Sequence, residues 1–364
     1  MRIVMFYHSL ISDWNHGNAH FLRGIVSELK ERGHDVRVYE PHDAWSVRNL
    51  LRDRGESAID AFHSAYPTLD SIRYDPRTLD LDEALDGARL VLVHEWNQPE
   101  LVRDIGRHRA SQRGYHLLFH DTHHRAVSAR EELAAYDLRD YDGVLAFGGV
   151  LRDTYLERDW IGRAWTWHEA ADTRRFHPIA AEGVKSDLVW IGNWGDGERS
   201  HELQEFLLEP VGALKLSATI HGVRYPDDAR AAIARSGARY GGFLPNFEAP
   251  AVFAQHKLTV HVPRRFYTQT LPGIPTIRVF EALACGIPLV CAPWDDAERM
   301  FAPGEDYLVA RDGTEMKRHL RDILHDDALA SALSRSGLAR IAEHHTCAHR
   351  VDELFAVQRE LEAS

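Results

Sequence analysis

Leu271-Pro-Gly-Ile-Pro-Thr-Ile-Arg-Val-Phe-Glu-Ala-Leu-Ala-Cys-Gly-Ile-Pro-Leu-Val290 reads as a Gly/Pro loop, a short helix, a Gly stop and a buried strand. Pro272, Gly273 and Pro275 disfavour regular structure before Thr276, whose hydroxyl suits an N-cap. From there Ile277, Phe280 and Leu283 recur at helical spacing as far as Ala284, Gly286 ends the run, and 287–292 is short and apolar. A loop that feeds a helix N-terminus presents backbone N–H groups and the positive end of a helix dipole, which suits an anion. Glu281 interrupts an otherwise apolar helix. A carboxylate there can accept hydrogen bonds from two adjacent hydroxyls, as on a ribose, or can cap something local.

Working outward, the chain alternates strands and helices on both sides of one break. In the first half, strands are predicted at 3–7, 35–39, 90–94, 115–119 and 143–146, with helices at 19–32, 46–56, from about 99 to 113, and at 149–158. Residues 57–80 give no clear pattern, 165–178 read as irregular, and 180–185 is the best linker. In the second half, strands are predicted at 187–191, 217–221, 238–241, 258–262, 287–292 and 306–309, with helices between them and at 313–325, 327–343 and 347–362. This βα alternation predicts an α/β protein of two doubly wound, Rossmann-like domains, 1–178 and 185–345, facing each other across a cleft.

The bulk properties agree. At 364 residues the chain has the length of two domains of roughly 150–200 residues each. Its 44% hydrophobic and 27% charged content is that of an ordinary soluble protein, and a net charge of −12 argues against general nucleic-acid binding. Cys285, Cys291 and Cys347 form neither a disulfide framework nor a CxxC zinc pattern, so a reducing cytoplasm is expected. The first ten residues read as a strand rather than a signal peptide, and no apolar run reaches the roughly 18 residues of a membrane span. Composition leaves the oligomeric state open.

In open α/β sheets ligands bind beyond the carboxyl ends of the strands. Three such loops in the first half are unusually polar or aromatic: 8–18, 95–98 and 120–125. They offer Asp121 or His16 as a general base, and Trp14, Asn18, Trp96 and His120 as further lining of a polar pocket, the side where the resemblance described below implies an acceptor. Trp14, Trp96 and His16 would suit a sugar ring or an aromatic group. His123 and His124 beside Asp121 make a poor metal set, because adjacent residues on a strand point apart, and no metal is expected. In the second half, Gly192-Asn-Trp-Gly-Asp-Gly197 is either a phosphate-approaching turn or an ordinary one. Arg199, Arg264 and Arg265 could clamp a diphosphate, and 241–245 could read the edge of a flat base.

The segment Arg278-Val-Phe-Glu-Ala-Leu-Ala-Cys-Gly-Ile-Pro-Leu-Val290 resembles the nucleotide-sugar motif of the GT-B glycosyltransferases, in particular the group-1 enzymes and their CgeB-like (spore maturation protein) branch. His168-Glu-Ala-Ala-Asp172 with Phe176 and Pro178, Tyr240-Gly-Gly-Phe-Leu-Pro245 and Glu305-Asp-Tyr-Leu-Val309 fit further segments of that family. The resemblance covers most of residues 165–345 and is weaker over 1–160. It implies a hexosyltransferase-like enzyme that uses a nucleotide diphosphate sugar, UDP-type, as co-substrate, with no metal or other cofactor and an acceptor of unidentified class. By that resemblance Glu281 holds the ribose. Gly273, Ile274, Thr276 and Ile277 with Arg264 or Arg265 hold the diphosphate, Asn193 and Arg199 lie beside it, and the base stacks near Phe243 and Leu244. Helix 347–362 would pack back on the first domain. Group-1 enzymes usually carry a second Glu at the position that Gly273 fills here, which leaves the donor sugar and the stereochemical outcome open. An epimerase on the same fold and a non-catalytic sugar-nucleotide or glycan binder are the alternatives.

Overall fold

The structure, a computed structural model, describes residues 1–181, 183–195 and 197–363. Glu182 of the expected linker and Asp196 of the glycine-rich turn lie outside the described residues.

Two compact units make up the chain, each built on one parallel sheet. The first unit spans Met1–Glu169 and takes in the chain again from Cys347. Its strands are β1 (Arg2–Phe6), β2 (Asp35–Pro41), β3 (Ile72–Tyr74), β4 (Ala88–His94), β5 (His116–Asp121), β6 (Gly143–Ala146) and β7 (Ala164–Thr166), in the order β3-β2-β1-β4-β5-β6-β7. Leu90–Val93 of β4 are fully buried, as a strand covered by helices on both faces requires. The C-terminal helix Cys347–Glu362 lies against helix Ala19–Glu31, tied by Arg32 to Asp352, and the Trp167 indole donates to the Arg350 carbonyl.

The second unit, Ala170–Thr346, carries β8 (Ser186–Ile191), β9 (Ala218–His221), β10 (Arg239–Gly242), β11 (His256–His261), β12 (Leu289–Cys291) and β13 (Leu308–Val309), in the order β10-β9-β8-β11-β12-β13. Its core gathers Leu188, Trp190, Ile220, Leu258, Val260 and Val290. Residues ahead of the expected linker are already part of this unit: Ala171 donates to the His345 carbonyl (2.9 Å) and Phe176 is fully buried.

Strand order is what positions the sites. Each sheet reverses its winding direction once, between β1 and β4 in the first unit and between β8 and β11 in the second. At such a switch point neighbouring crossover connections leave to opposite faces and open a crevice beyond the strand ends.

Several local readings change. Residues 57–80 hold helix Ser57–Ala65 and edge strand β3, and β7 forms in a stretch expected to be irregular. The helix expected at 200–213 is broken into Ser200–Leu203, a π-helical turn Gln204–Leu208 and Glu209–Leu214. Pro210 sits just past the turn and has no N–H to give to the carbonyl four residues back, and a wider turn absorbs that loss. Arg265 opens a short helix, Arg265–Gln269, that sequence reading missed.

Candidate functional site

In the second unit the quoted stretch folds as a loop, helix Ile277–Ala284 and strand β12. Apart from Arg278 the whole helix is buried. Thr276 occupies the N-cap position, yet its hydroxyl does not cap. It meets His261 Nε2 at the end of β11 (3.0 Å), so the Thr276 side chain leaves the first amides of the helix uncapped. Burial, with Arg199 and Arg278 nearby, pushes His261 down to about 3, which leaves it a neutral partner for Thr276.

Glu281 is fully buried, one turn inside this helix. Asn246 Nδ2 donates to its Oε1 (2.6 Å), and Arg278 pairs with its Oε2. The carboxylate is therefore oriented and held from two sides, where sequence reading saw only a lone acid on an apolar helix. Asn246 and Arg278 were both missed. Arg278 is one turn N-terminal to Glu281, and that spacing was the available signal.

The arginines separate. Arg199 is a buried strut: it donates to the carbonyls of Val262 (2.7 Å) and Asn193 (2.8 Å) and lies 5.2 Å over the Trp190 ring, so it ties the ends of β8 and β11 together. Burial and neighbouring Arg264 lower it to about 10. Arg264 reaches Glu198 (3.1 Å) and the Asn193 side chain (3.2 Å) at the same crevice. Arg265 turns instead to Glu202, with two bonds of 2.7 and 3.1 Å, and its side chain is 43% exposed. The two guanidiniums expected to form a clamp thus face different carboxylates.

Gly273 has φ of +84°, and its N–H donates to the Asp295 carbonyl (2.8 Å). A Cβ there would lie 3.1 Å from Glu298 Cγ and in the left-handed region, so this backbone favours glycine and disfavours the carboxylate that group-1 enzymes usually place there. Ile274 and Ile277 are buried core residues, and only their backbone can face a ligand. Phe243 and Leu244 are half-buried, in the turn after β10.

At the other switch point, His8 follows β1, His94 ends β4 and His120 lies near the end of β5. His16 comes from the loop between β1 and the next helix. The His8 ring is 4.4 Å from that of His16 and 5.7 Å from that of His94, and His94 is 5.5 Å from His120. Trp96 stands 5.8 Å and Trp45 5.7 Å from His8. Burial lowers all four imidazoles, His16 and His120 to about 3. His120 Nδ1 bonds the Tyr7 hydroxyl (2.5 Å) and His94 Nε2 the Thr122 hydroxyl (2.9 Å). Both nitrogens of His8, Nδ1 of His16, Nδ1 of His94 and Nε2 of His120 are buried with no hydrogen-bond partner among the described residues.

Three expected site residues here do structural work. Trp14 is buried and its indole donates to Asp53 (2.8 Å), so it offers no open face for stacking. Asn18 donates to Glu169 (3.1 Å). Asp121 is fully buried, with one oxygen accepting from the His123 amide (3.0 Å) and the other from the Tyr155 hydroxyl (2.8 Å). Burial raises Asp121, and burial with Asp121 alongside raises Glu95 further. Arg125, 3.3 Å from Glu95, works against both shifts. His123 and His124 lie in a turn after β5 rather than on a strand, so their rings do not point apart but sit 3.9 Å from each other. Among the described residues no three His, Cys, Asp or Glu side chains gather as a metal set, and no helix is long and apolar enough to cross a membrane. Trp45, His8 and His94 were not singled out from sequence. Their position at the strand-order switch becomes visible only once the order is known.

Residues 199–356 match the family model described as "Glycosyl transferase-like". The whole chain superimposes on sucrose-phosphate synthase from Thermosynechococcus elongatus (TM-score 0.68, 15% identity, 100% of this chain and 99% of that one). It also superimposes on an alpha-glucosyltransferase in complex with UDP and a 13-mer DNA (0.69, 13%, 99% of each chain). A third similar structure is Anabaena Alr3699/HepE in complex with UDP and glucose (0.69, 11%, 99% of this chain and 100% of that one). No curated protein sequence matches the chain. The architecture is that of the GT-B fold, two doubly wound α/β sheets, and the family-model match falls on most of the second unit and the start of the C-terminal helix.

Proposed function

We propose that this chain is a glycosyltransferase that moves a sugar, a hexose in our reading, from a nucleoside diphosphate sugar to an acceptor. The observation that carries the reading is Glu281: a buried carboxyl group held by Asn246 and Arg278 one turn inside a helix whose N-cap residue, Thr276, leaves the first amides uncapped by its own side chain. The carboxylate suits the paired hydroxyls of a ribose. The amides of the helix start suit the diphosphate that precedes it. The match to the glycosyl-transferase-like family and the UDP bound in two of the similar structures support a UDP-type donor. On the Arg278–Val290 motif we place the chain in the CgeB-like branch, and on its three free cysteines in a reducing cytoplasm.

In the reaction, the acceptor hydroxyl oxygen bonds to the anomeric carbon as the bond from that carbon to the diphosphate breaks. Negative charge then grows on the leaving phosphate, and the helix-start amides and Arg264 stabilise it, with Arg278 close by, without a call on a metal ion. Arg265 is assigned no part. Transfer with inversion needs a base, and of the two candidates burial lowers His16 to about 3 and raises Asp121 to about 6, so Asp121, which also fixes the turn through His123 and Tyr155, is the stronger proton acceptor. Phe243 and Leu244 stay assigned to the base of the nucleotide.

The test is UDP binding by calorimetry to Glu281→Gln, which keeps the shape and an acceptor for Asn246 but loses the charge. Affinity is expected to fall at least about tenfold, the order of one charge-assisted hydrogen bond. Unchanged affinity with intact circular dichroism would sink the ribose assignment.

A further inference from the structure

We propose that the histidine–tryptophan cluster at the β1/β4 switch point binds the acceptor, and that the acceptor is a neutral, polyhydroxylated ring, a saccharide rather than a phosphorylated, anionic or purely aromatic compound. The inference names the acceptor class within the reading above and rests on it.

Four imidazoles and two indoles meet there, with ring separations from 4.4 to 6.4 Å. His8, His16 and His94 are buried, and the neighbouring Trp45 and Trp96 are partly exposed. A buried polar atom left without a partner costs about 1–3 kcal/mol, so buried polar atoms are almost always paired. Here five ring nitrogens from four side chains lack a partner among the described residues. A concentration of unmet donors and acceptors at a strand-order switch is what a hydroxyl-rich ligand completes. Each neutral imidazole offers one N–H and one lone pair, and a hydroxyl can answer either.

The charges select the class. Burial keeps these imidazoles in the neutral form. Arg125 lies 4.8 Å over the Trp96 ring but is committed to Glu95 and Glu132, and Arg52, 5.9 Å from Trp14, is bonded to Asp53. An anion would be desolvated there with these cations already paired. A metal ion is disfavoured by geometry, since no set of three ligating side chains converges among the described residues. An aromatic compound would stack on the indoles but leave the ring nitrogens unmet. A sugar ring presents C–H faces to Trp45 and Trp96 and hydroxyls to the imidazoles.

The experiment uses the full chain with UDP present, saturation-transfer NMR, and a panel of glucose, galactose, mannose, maltose and lactose, with glucose 6-phosphate and UDP-glucose as comparison arms. At least one neutral sugar is expected to give ring-proton signals. His8→Phe, which keeps an aromatic ring but removes both nitrogens, and Trp96→Ala are each expected to weaken that binding about tenfold or more while UDP affinity stays within twofold. Four results overturn the proposal: no neutral sugar binds, glucose 6-phosphate binds tighter than glucose, binding survives both variants, or only the hexose of UDP-glucose reaches the cluster. UDP calorimetry on the same samples separates the two ideas. Lost sugar binding with intact UDP binding removes only the acceptor class, and the converse removes the donor reading.

Discussion

Beyond β8 and β11 charge is answered by charge: Arg264 faces Glu198, Arg265 faces Glu202, and Arg278 faces Glu281. Beyond β1 and β4 the sheet ends instead in neutral rings, His8, His16, His94 and His120, whose nitrogens largely lack protein partners among the described residues. The same topological feature thus carries opposite chemistry in the two units. Under the proposed function, paired charges can be re-sorted by an anionic diphosphate, which suits that end to a leaving group. Unmet neutral donors and acceptors gain most from hydroxyls, so that end suits a nucleophile that must stay uncharged until it attacks.

The largest effect expected from this contrast is acid lability centred on the first unit. The folded state holds His16 and His120 at about 3 and lowers His8 and His94 as well, against an ordinary value of 6.5. Below 6.5 the unfolded chain therefore binds protons that the folded chain refuses, so stability is greatest above 6.5 and falls as pH drops from there toward 3. Each sealed imidazole contributes a slope of about 1.4 kcal/mol per pH unit in that window. Asp121 and Glu95, raised by burial, act in the opposite sense, because the folded state keeps their protons longer. The imidazoles outnumber them, so the thermal midpoint is expected to drop by about 10 °C between pH 7.5 and 5.5. His94→Gln, which can still reach the Thr122 hydroxyl, should reduce that drop. A flat profile would mean the rings are not sealed, and the contrast between the two ends would collapse.

The distribution of chemistry explains what could be read from the chain beforehand. The βα alternation fixes two parallel sheets because each helix must cover a strand face, and that pattern is local. The glycine at 273 and the acid at 281 are legible for the same reason: one is set by backbone geometry within its loop, the other stands out on an apolar helix. Partners brought by distant elements are not legible. Asn246 reaches Glu281 from a different βα unit, and Trp45 reaches His8 from the helix after β2. The Thr276 hydroxyl, a cap by local rules, is claimed by His261 because β11 ends beside it. Arg264 and Arg265 look interchangeable in sequence, yet the chain turns into a helix between them and sends them apart.

That divergence gives a middle-sized test. Arg264→Ala removes a guanidinium from the crevice it shares with Asn193 and should weaken UDP binding about tenfold, roughly 1.4 kcal/mol, as one lost charge-assisted hydrogen bond predicts. Arg265→Ala removes a partly exposed ion pair with Glu202 and should stay within about twofold. Calorimetry on both variants decides it. Equal losses would restore the two-arginine clamp and make the Arg265–Glu202 pair a resting state rather than a permanent one.

The smallest effect concerns where the neutral end stops. Trp14 lies in the loop that supplies His16, and its ring is 6.1 Å from that of Trp45, so by proximity it belongs to the cluster. By bonding it does not: its indole N–H is spent on Asp53 and its face is covered. Trp14→Phe keeps most of the buried ring and loses that one hydrogen bond, so it should cost about 1 kcal/mol in urea unfolding and leave saccharide binding unchanged. Trp96→Ala, by contrast, removes a partly exposed ring of the cluster. Should Trp14→Phe weaken sugar binding while stability holds, the recognising surface extends along the loop beyond Trp45, and the acceptor must be longer than one ring.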